Sequence, residues 1–131
     1  MKSRTESDFN AFASFCMASL SLAGLTSSAL ADGHGVKVGM ITTLSGGGAG
    51  LGLDVRDGFL LAVAQSGRSD IEVVIEDDQR KPDIAVQLAD KMIQSEKVDV
   101  LTGIIWSNLA MAVVPSAVAQ GKFYLSPNAG P

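Results

Sequence analysis

Between Val36 and Leu125 the apolar pattern switches repeatedly between a period of two and a period of three to four, and few folds tolerate that alternation. Val36, Val38 and Met40 share one face before Ile41-Thr42, as in a strand lying on a core. From Leu53 to Gln65 the residues Val55, Phe59, Ala62 and Val63 recur at helical spacing, a stripe suited to cover a sheet, and Ser66-Gly67 closes the run. IEVVIED, residues 71 to 77, is a second, β-branched strand that runs into an acidic turn. KPDIAVQLADKMIQSE is a second helix started by Pro82, whose fixed φ and missing N–H suit a first turn; Ala85, Leu88, Ala89 and Met92 form its buried stripe. VDVLTGII, residues 98 to 105, is apolar almost throughout, as expected of a strand covered on both faces. Residues 107 to 120 read as a third helix with Pro115 as a break or kink, and Lys122 to Leu125 as a short fourth strand.

Strand and helix thus alternate three times, the pattern of right-handed crossover units building a parallel sheet. The expected class is α/β, a parallel sheet with helices on both faces. Ligands of such sheets sit beyond the carboxyl ends of the strands, which directs attention to residues 43 to 52, 77 to 82, 106 to 108 and 126 to 131.

The first 31 residues have a different character. Lys2 and Arg4 precede the apolar run AFASFCMASLSLAGL, and the segment ends on Ala29-Leu30-Ala31, the three-part order of a cleavable secretory signal. The run is shorter than the roughly 20 apolar residues of a membrane span. Export to the periplasm is the expectation, with residues 1–31 a signal peptide and 32–131 the mature part. Cys16 is the one cysteine and lies inside this segment, so cleavage would leave no thiol for a disulfide. The net charge of −4 comes without a basic run, and 5% aromatic content adds no stacking platform, so nucleic acid is excluded as a partner.

No set of residues carries catalysis. The run Gly46-Gly47-Gly48-Ala49-Gly50-Leu51-Gly52 sits where a phosphate loop would, yet it lacks both the dinucleotide spacing and a following Gly-Lys-Ser/Thr. It is either a turn permitting close backbone approach or the rim of a ligand cleft. Asp77-Asp78 offers hard oxygen ligands, but neighbours in a strand point to opposite faces, so a turn role is favoured over a magnesium site. His34 is the single histidine, too few for a zinc cluster and far from a Ser-His-Asp arrangement. Ser45 lacks the glycine two residues earlier that a nucleophile elbow needs. No catalytic residue, metal or cofactor is expected. What remains is a helix start at Trp106-Ser107-Asn108 directly after a buried strand. Its free amides can bind a carboxylate with help from the helix dipole, or Ser107 or Asn108 can simply cap the helix. The turn SPNAGP, ending the neighbouring strand, can face the same spot.

The succession KVGMITTLSGGGAGLG, RDGFLLAV, IEDDQRKPDIAVQLADKMI, VDVLTGIIWSN and FYLSPNAGP resembles the first lobe of type I periplasmic binding proteins over nearly all of residues 36 to 131. The branch most similar to it binds leucine and other branched-chain amino acids for ABC importers. The resemblance implies an incomplete first lobe of that fold and a role as the extracytoplasmic solute-binding component of an importer. It implies a small carboxylate-bearing ligand such as a branched-chain amino acid, the importer's membrane subunits as partners, and a monomer. It further implies that Ser107 holds the ligand carboxylate with Trp106 and Asn108 beside it, and that Ala129 and Gly130 lie in a turn supplying main-chain bonds. Leu51 falls where amino-acid binders of this family often place an aromatic. A leucine there, next to Trp106 and SPNAGP, is also compatible with aromatic-acid receptors of the same fold; a ligand-sensing module is a further alternative. Such proteins close two hinged lobes over the ligand. The expectation for this polypeptide alone is therefore weak binding or none.

Overall fold

The computed structural model describes residues 35–128; the expected signal segment and the last three residues lie outside them. The elements are β1 (Val36–Thr42), α1 (Ala49–Gln65), β2 (Ile71–Asp77), α2 (Pro82–Gln94), β3 (Val100–Thr102), α3 (Ser107–Ala119) and β4 (Phe123–Leu125). All four strands join one parallel sheet in the order β2-β1-β3-β4. β1 pairs with β2 from Val36 opposite Ile71 to Thr42 opposite Asp77, and with β3 over Val38 to Met40. The chain steps from β1 to β2 in one direction and then returns across β1 to β3 and β4. Right-handed crossovers consequently place α1 on one face and pack α2 with α3 on the other.

The core lies on the α2–α3 face. Ile41 and Leu101 of the sheet meet Ala85, Ala89, Met92 and Ile93 of α2 and Leu109, Val113 and Ala117 of α3, every one of them buried. Gly39 lies on this same face, where an added Cβ would come within 2.8 Å of both Leu101 and Met92, so the glycine sets how closely α2 approaches the sheet.

Four details differ from the sequence pattern. α1 begins at Ala49 rather than Leu53, since the glycines that argue for a loop are recruited into its first turn. Gly52 is the reason: a Cβ there would stand 1.9 Å from the Thr43 carbonyl oxygen, so close packing onto β1 overrides poor helix propensity. Of the α1 stripe, Val55, Phe59 and Val63 are half-buried while Ala62 is exposed, because one helix alone rests shallowly on its face. β3 pairs over three residues rather than eight, ending where Gly103 adopts φ +102. Pro115 neither ends nor splits α3; the carbonyl it leaves without a partner belongs to Met111, which faces solvent.

Candidate functional site

The strand order reverses between β1 and β3, and the crevice expected at such a switch point forms where three loops meet. Gly103 brings the β3–α3 loop there. An added Cβ would lie 2.7 Å from the Ile41 carbonyl oxygen and 2.7 Å from Met40 Cγ, so the loop passes against β1 as no larger residue could.

The acidic pair builds the second loop. Asp77 Oδ1 accepts hydrogen bonds from the Leu44 amide at 2.8 Å and the Gln79 amide at 2.9 Å. Asp78, fully buried, accepts at Oδ1 from the Thr43 hydroxyl at 2.6 Å and the Arg80 amide at 2.8 Å. Gln79 and Arg80 both have left-handed backbones, φ 51 and 57, a conformation that costs an L-residue about 1–2 kcal/mol. Charge-assisted bonds to the two carboxylates hold the turn in that state and tie it to the β1–α1 loop. Asp77 and Asp78 thus both serve the turn. Among the described residues no group of three or more His, Cys, Asp or Glu could hold a metal ion.

Burial alone would push the Asp77 carboxyl up, but bonds from the Ser45 hydroxyl and from the Leu44, Gln79 and Ser45 amides outweigh it and hold the group below the usual carboxylate range. A native carboxyl titrating lower than its unfolded counterpart stabilises the fold fully above the ordinary value. That stabilisation is lost as pH falls through the lowered one. The urea midpoint difference between the wild-type chain and Asp77→Asn should therefore shrink as pH drops from about 6 to about 3. A difference independent of pH would contradict this assignment.

Trp106 is the hub. Its indole Nε1–H donates to Thr43 Oγ1 at 2.8 Å, so indole, hydroxyl and the Asp78 carboxylate form one chain of hydrogen bonds. Gly48, φ +98, lies against the ring edge; a Cβ would fall 2.4 Å from Trp106 Cζ2. The glycine-rich run thus permits close approach to a neighbour, and the neighbour belongs to the crevice. Arg80 lies over the indole face, its Cζ 3.9 Å from the ring centroid, and its Nη1 donates to the Gly47 carbonyl at 3.4 Å.

Beside Trp106 opens a groove of about 410 Å³. Ile104, Ile105, Trp106 and Ser107 form its head, Ala110 and Val114 of α3 one wall, and Tyr124, Ser126 and Asn128 the other. Tyr124 donates to the Ile104 carbonyl at 3.3 Å. Burial pushes its phenol up to about 12 against the opposing effect of bonds with Ser126 and Ile104, so it stays neutral and adds no negative charge. Asn128 Nδ2 donates to the Ile105 carbonyl at 3.2 Å, tying the segment after β4 to the groove's head.

The sequence-derived site residues are distributed as follows. Trp106 is the N-cap residue of α3, and Ser107 and Asn108, both exposed, are its first helical residues; no side chain caps the helix. The amides of a first helical turn have no acceptor within the helix. Ser107 and Trp106 line the groove together. Leu51 is 57% exposed in the first turn of α1 and is not among the groove residues. Ala129 and Gly130 lie outside the described residues. Sequence reasoning missed Ile104, Tyr124 and Asn128, and it missed the roles of Thr43 and Arg80. Asn128 carried a signal through the SPNAGP turn, and Thr43 and Arg80 only through their places in the loops 43 to 52 and 77 to 82.

The family model for periplasmic binding proteins matches residues 35–131. A solute-binding protein of an ABC transporter from R. palustris, solved in complex with benzoate, is similar at 42% identity and TM-score 0.67, over 72% of this chain and 28% of that one. An ABC transporter substrate-binding protein from Sphaerobacter thermophilus matches at 30% identity and TM-score 0.70, over 73% and 27%. A leucine-binding protein from Thermotoga maritima matches at 25% identity and TM-score 0.68, over 71% and 27%. No curated protein matches the sequence. The chain thus spans little more than a quarter of the length of these solved relatives. With its parallel sheet, its switch-point crevice and a family match over residues 35–131, the chain belongs to the periplasmic binding protein family.

Proposed function

We propose that residues 32–131 supply one wall of a solute-binding site in an ABC importer's extracytoplasmic receptor, and that the solute is a small molecule bearing a carboxylate. The observation that carries this is the groove itself. It sets an apolar floor beside the exposed Ser107 hydroxyl and the first amides of α3, where the helix dipole favours negative charge. The role is capture rather than catalysis, in a monomer that hands its ligand to the importer's membrane subunits. Residues 1–31 act as a cleavable signal directing it to the periplasm.

A branched-chain amino acid fits this chemistry, as the leucine-binding relative suggests. An aromatic carboxylate fits it better. The flat Trp106 ring and Tyr124 both line the groove, and the relative at 42% identity was solved with benzoate. Ser107 and its neighbours then engage the carboxylate while Ile104, Trp106 and Tyr124 contact the ring.

Trp106 is the single tryptophan of the 131 residues, so a ¹⁵N-labelled chain gives one indole N–H resonance placed at the site. Titration with benzoate should move that resonance with a Kd of about 1 mM, the weak binding that one wall without a closing lobe affords. Ser107→Ala should weaken it about tenfold by removing one bond to a charged group. Micromolar binding would refute the single-wall reading. A resonance unmoved by both benzoate and leucine would refute carboxylate capture.

A further inference from the structure

Among the described residues Arg80 belongs to no ion pair, unlike Lys37, Arg56, Arg68 and Lys91. It sits on left-handed backbone, φ 57, where an asparagine or glycine would be less strained. Strained residues persist where the surroundings over-determine them, often at binding sites. Here the surroundings are the Asp78 carboxylate, which accepts from the Arg80 amide at 2.8 Å and anchors the backbone. The side chain reaches from that anchor to two other loops at once, covering the indole at 3.9 Å and donating to Gly47 at 3.4 Å. A planar guanidinium can lie flat on the ring while its edge donates; an ammonium has no plane to stack.

We propose that Arg80 is a positioning residue for the ligand. It clasps the β1–α1 loop to the β3–α3 loop through Trp106 and fixes the indole as a rigid flat wall, so the groove prefers a flat aromatic carboxylate to a branched aliphatic one. The proposal rests on the reading of the groove as a carboxylate site. Thr43 holds the indole nitrogen, Gly48 receives its edge and Arg80 covers its face, which leaves the ring little freedom to tilt towards a bulkier, rounded side chain.

The test uses the full 131-residue chain with Arg80→Asn, which keeps a residue tolerant of left-handed backbone, and Arg80→Lys, which keeps the charge but not the plane. Without ligand, Arg80→Asn should raise the hydrogen-exchange rate of the Trp106 indole proton about threefold, the loss of one stacked cation–π contact. Arg80→Lys should recover only part of the protection. With ligand, Arg80→Asn should lower the preference for benzoate over leucine by about threefold. An unchanged indole proton in Arg80→Asn, or full recovery in Arg80→Lys, overturns the clasp. Faster exchange with an unaltered benzoate-to-leucine ratio overturns the positioning role. Failure of the wild-type chain to bind either probe would instead refute the carboxylate site and the preference built on it, while indole exchange would still decide the clasp.

Discussion

Gly103→Val should leave the chain without a cooperative unfolding transition, and Gly103→Ala should lower its stability by about 3 kcal/mol. Two separate effects combine at this position. The backbone has φ +102, in the region an L side chain avoids, and the first side-chain carbon would press within 2.7 Å of both the Ile41 carbonyl oxygen and Met40 Cγ. Neither can yield. Ile41 belongs to β1, an inner strand, and pairs with Glu76 of β2, while Met40 is fully buried. A β-branched residue adds a second clash to the first, against a total stability of about 5–15 kcal/mol for a domain of this size. Gly67, φ +69 with open space around it, is the internal control. Gly67→Asn should stay within about 0.5 kcal/mol of the wild type. Urea denaturation followed by circular dichroism checks all three, and a wild-type midpoint for Gly103→Ala would show that the loop does not lie against β1.

Asp78→Ala should cost about 3 kcal/mol and disturb the site at the same time. The carboxylate is fully buried and serves the Thr43 hydroxyl and the Arg80 amide through one oxygen. Truncation leaves both donors without that acceptor and removes what holds the left-handed pair Gln79-Arg80. Since Thr43 also accepts from the indole, the damage should reach Trp106 as a shift of its N–H resonance in protein that is still folded. Asp78→Asn keeps an acceptor oxygen and should cost less than half as much. Equal losses for the two variants would mean that the negative charge, rather than the hydrogen-bond acceptor, supports the turn.

The regular elements were legible because period and burial coincide in them. Of the stripe expected from Ala85, Leu88, Ala89 and Met92, all but the half-buried Leu88 are buried, and β2 has the predicted limits. Pattern failed where tertiary contact overrules local preference. Gly50 and Gly52 argue against a helix in isolation, yet the closeness of Gly52 to Thr43 makes that turn helical. The site was legible in part. Ser107 and Trp106 stand out by following a buried strand, and both border the groove. The Thr43–Trp106 bond joins residues 63 apart and the Thr43–Asp78 bond residues 35 apart. No local pattern encodes such partners, because the strand order β2-β1-β3-β4 brings them together.

That strand order also governs when the sheet can form. β1 emerges first from synthesis, yet its partners are β2, thirty-five residues on, and β3, which pairs with Val38 some sixty residues later. Each parallel pairing must close a long loop before it gains any hydrogen bond, and such non-local topologies fold slowly. β1 therefore gains no sheet partner until those later strands arrive. The crevice, which needs the β3–α3 loop seated against β1, is accordingly among the last features of the chain to assemble.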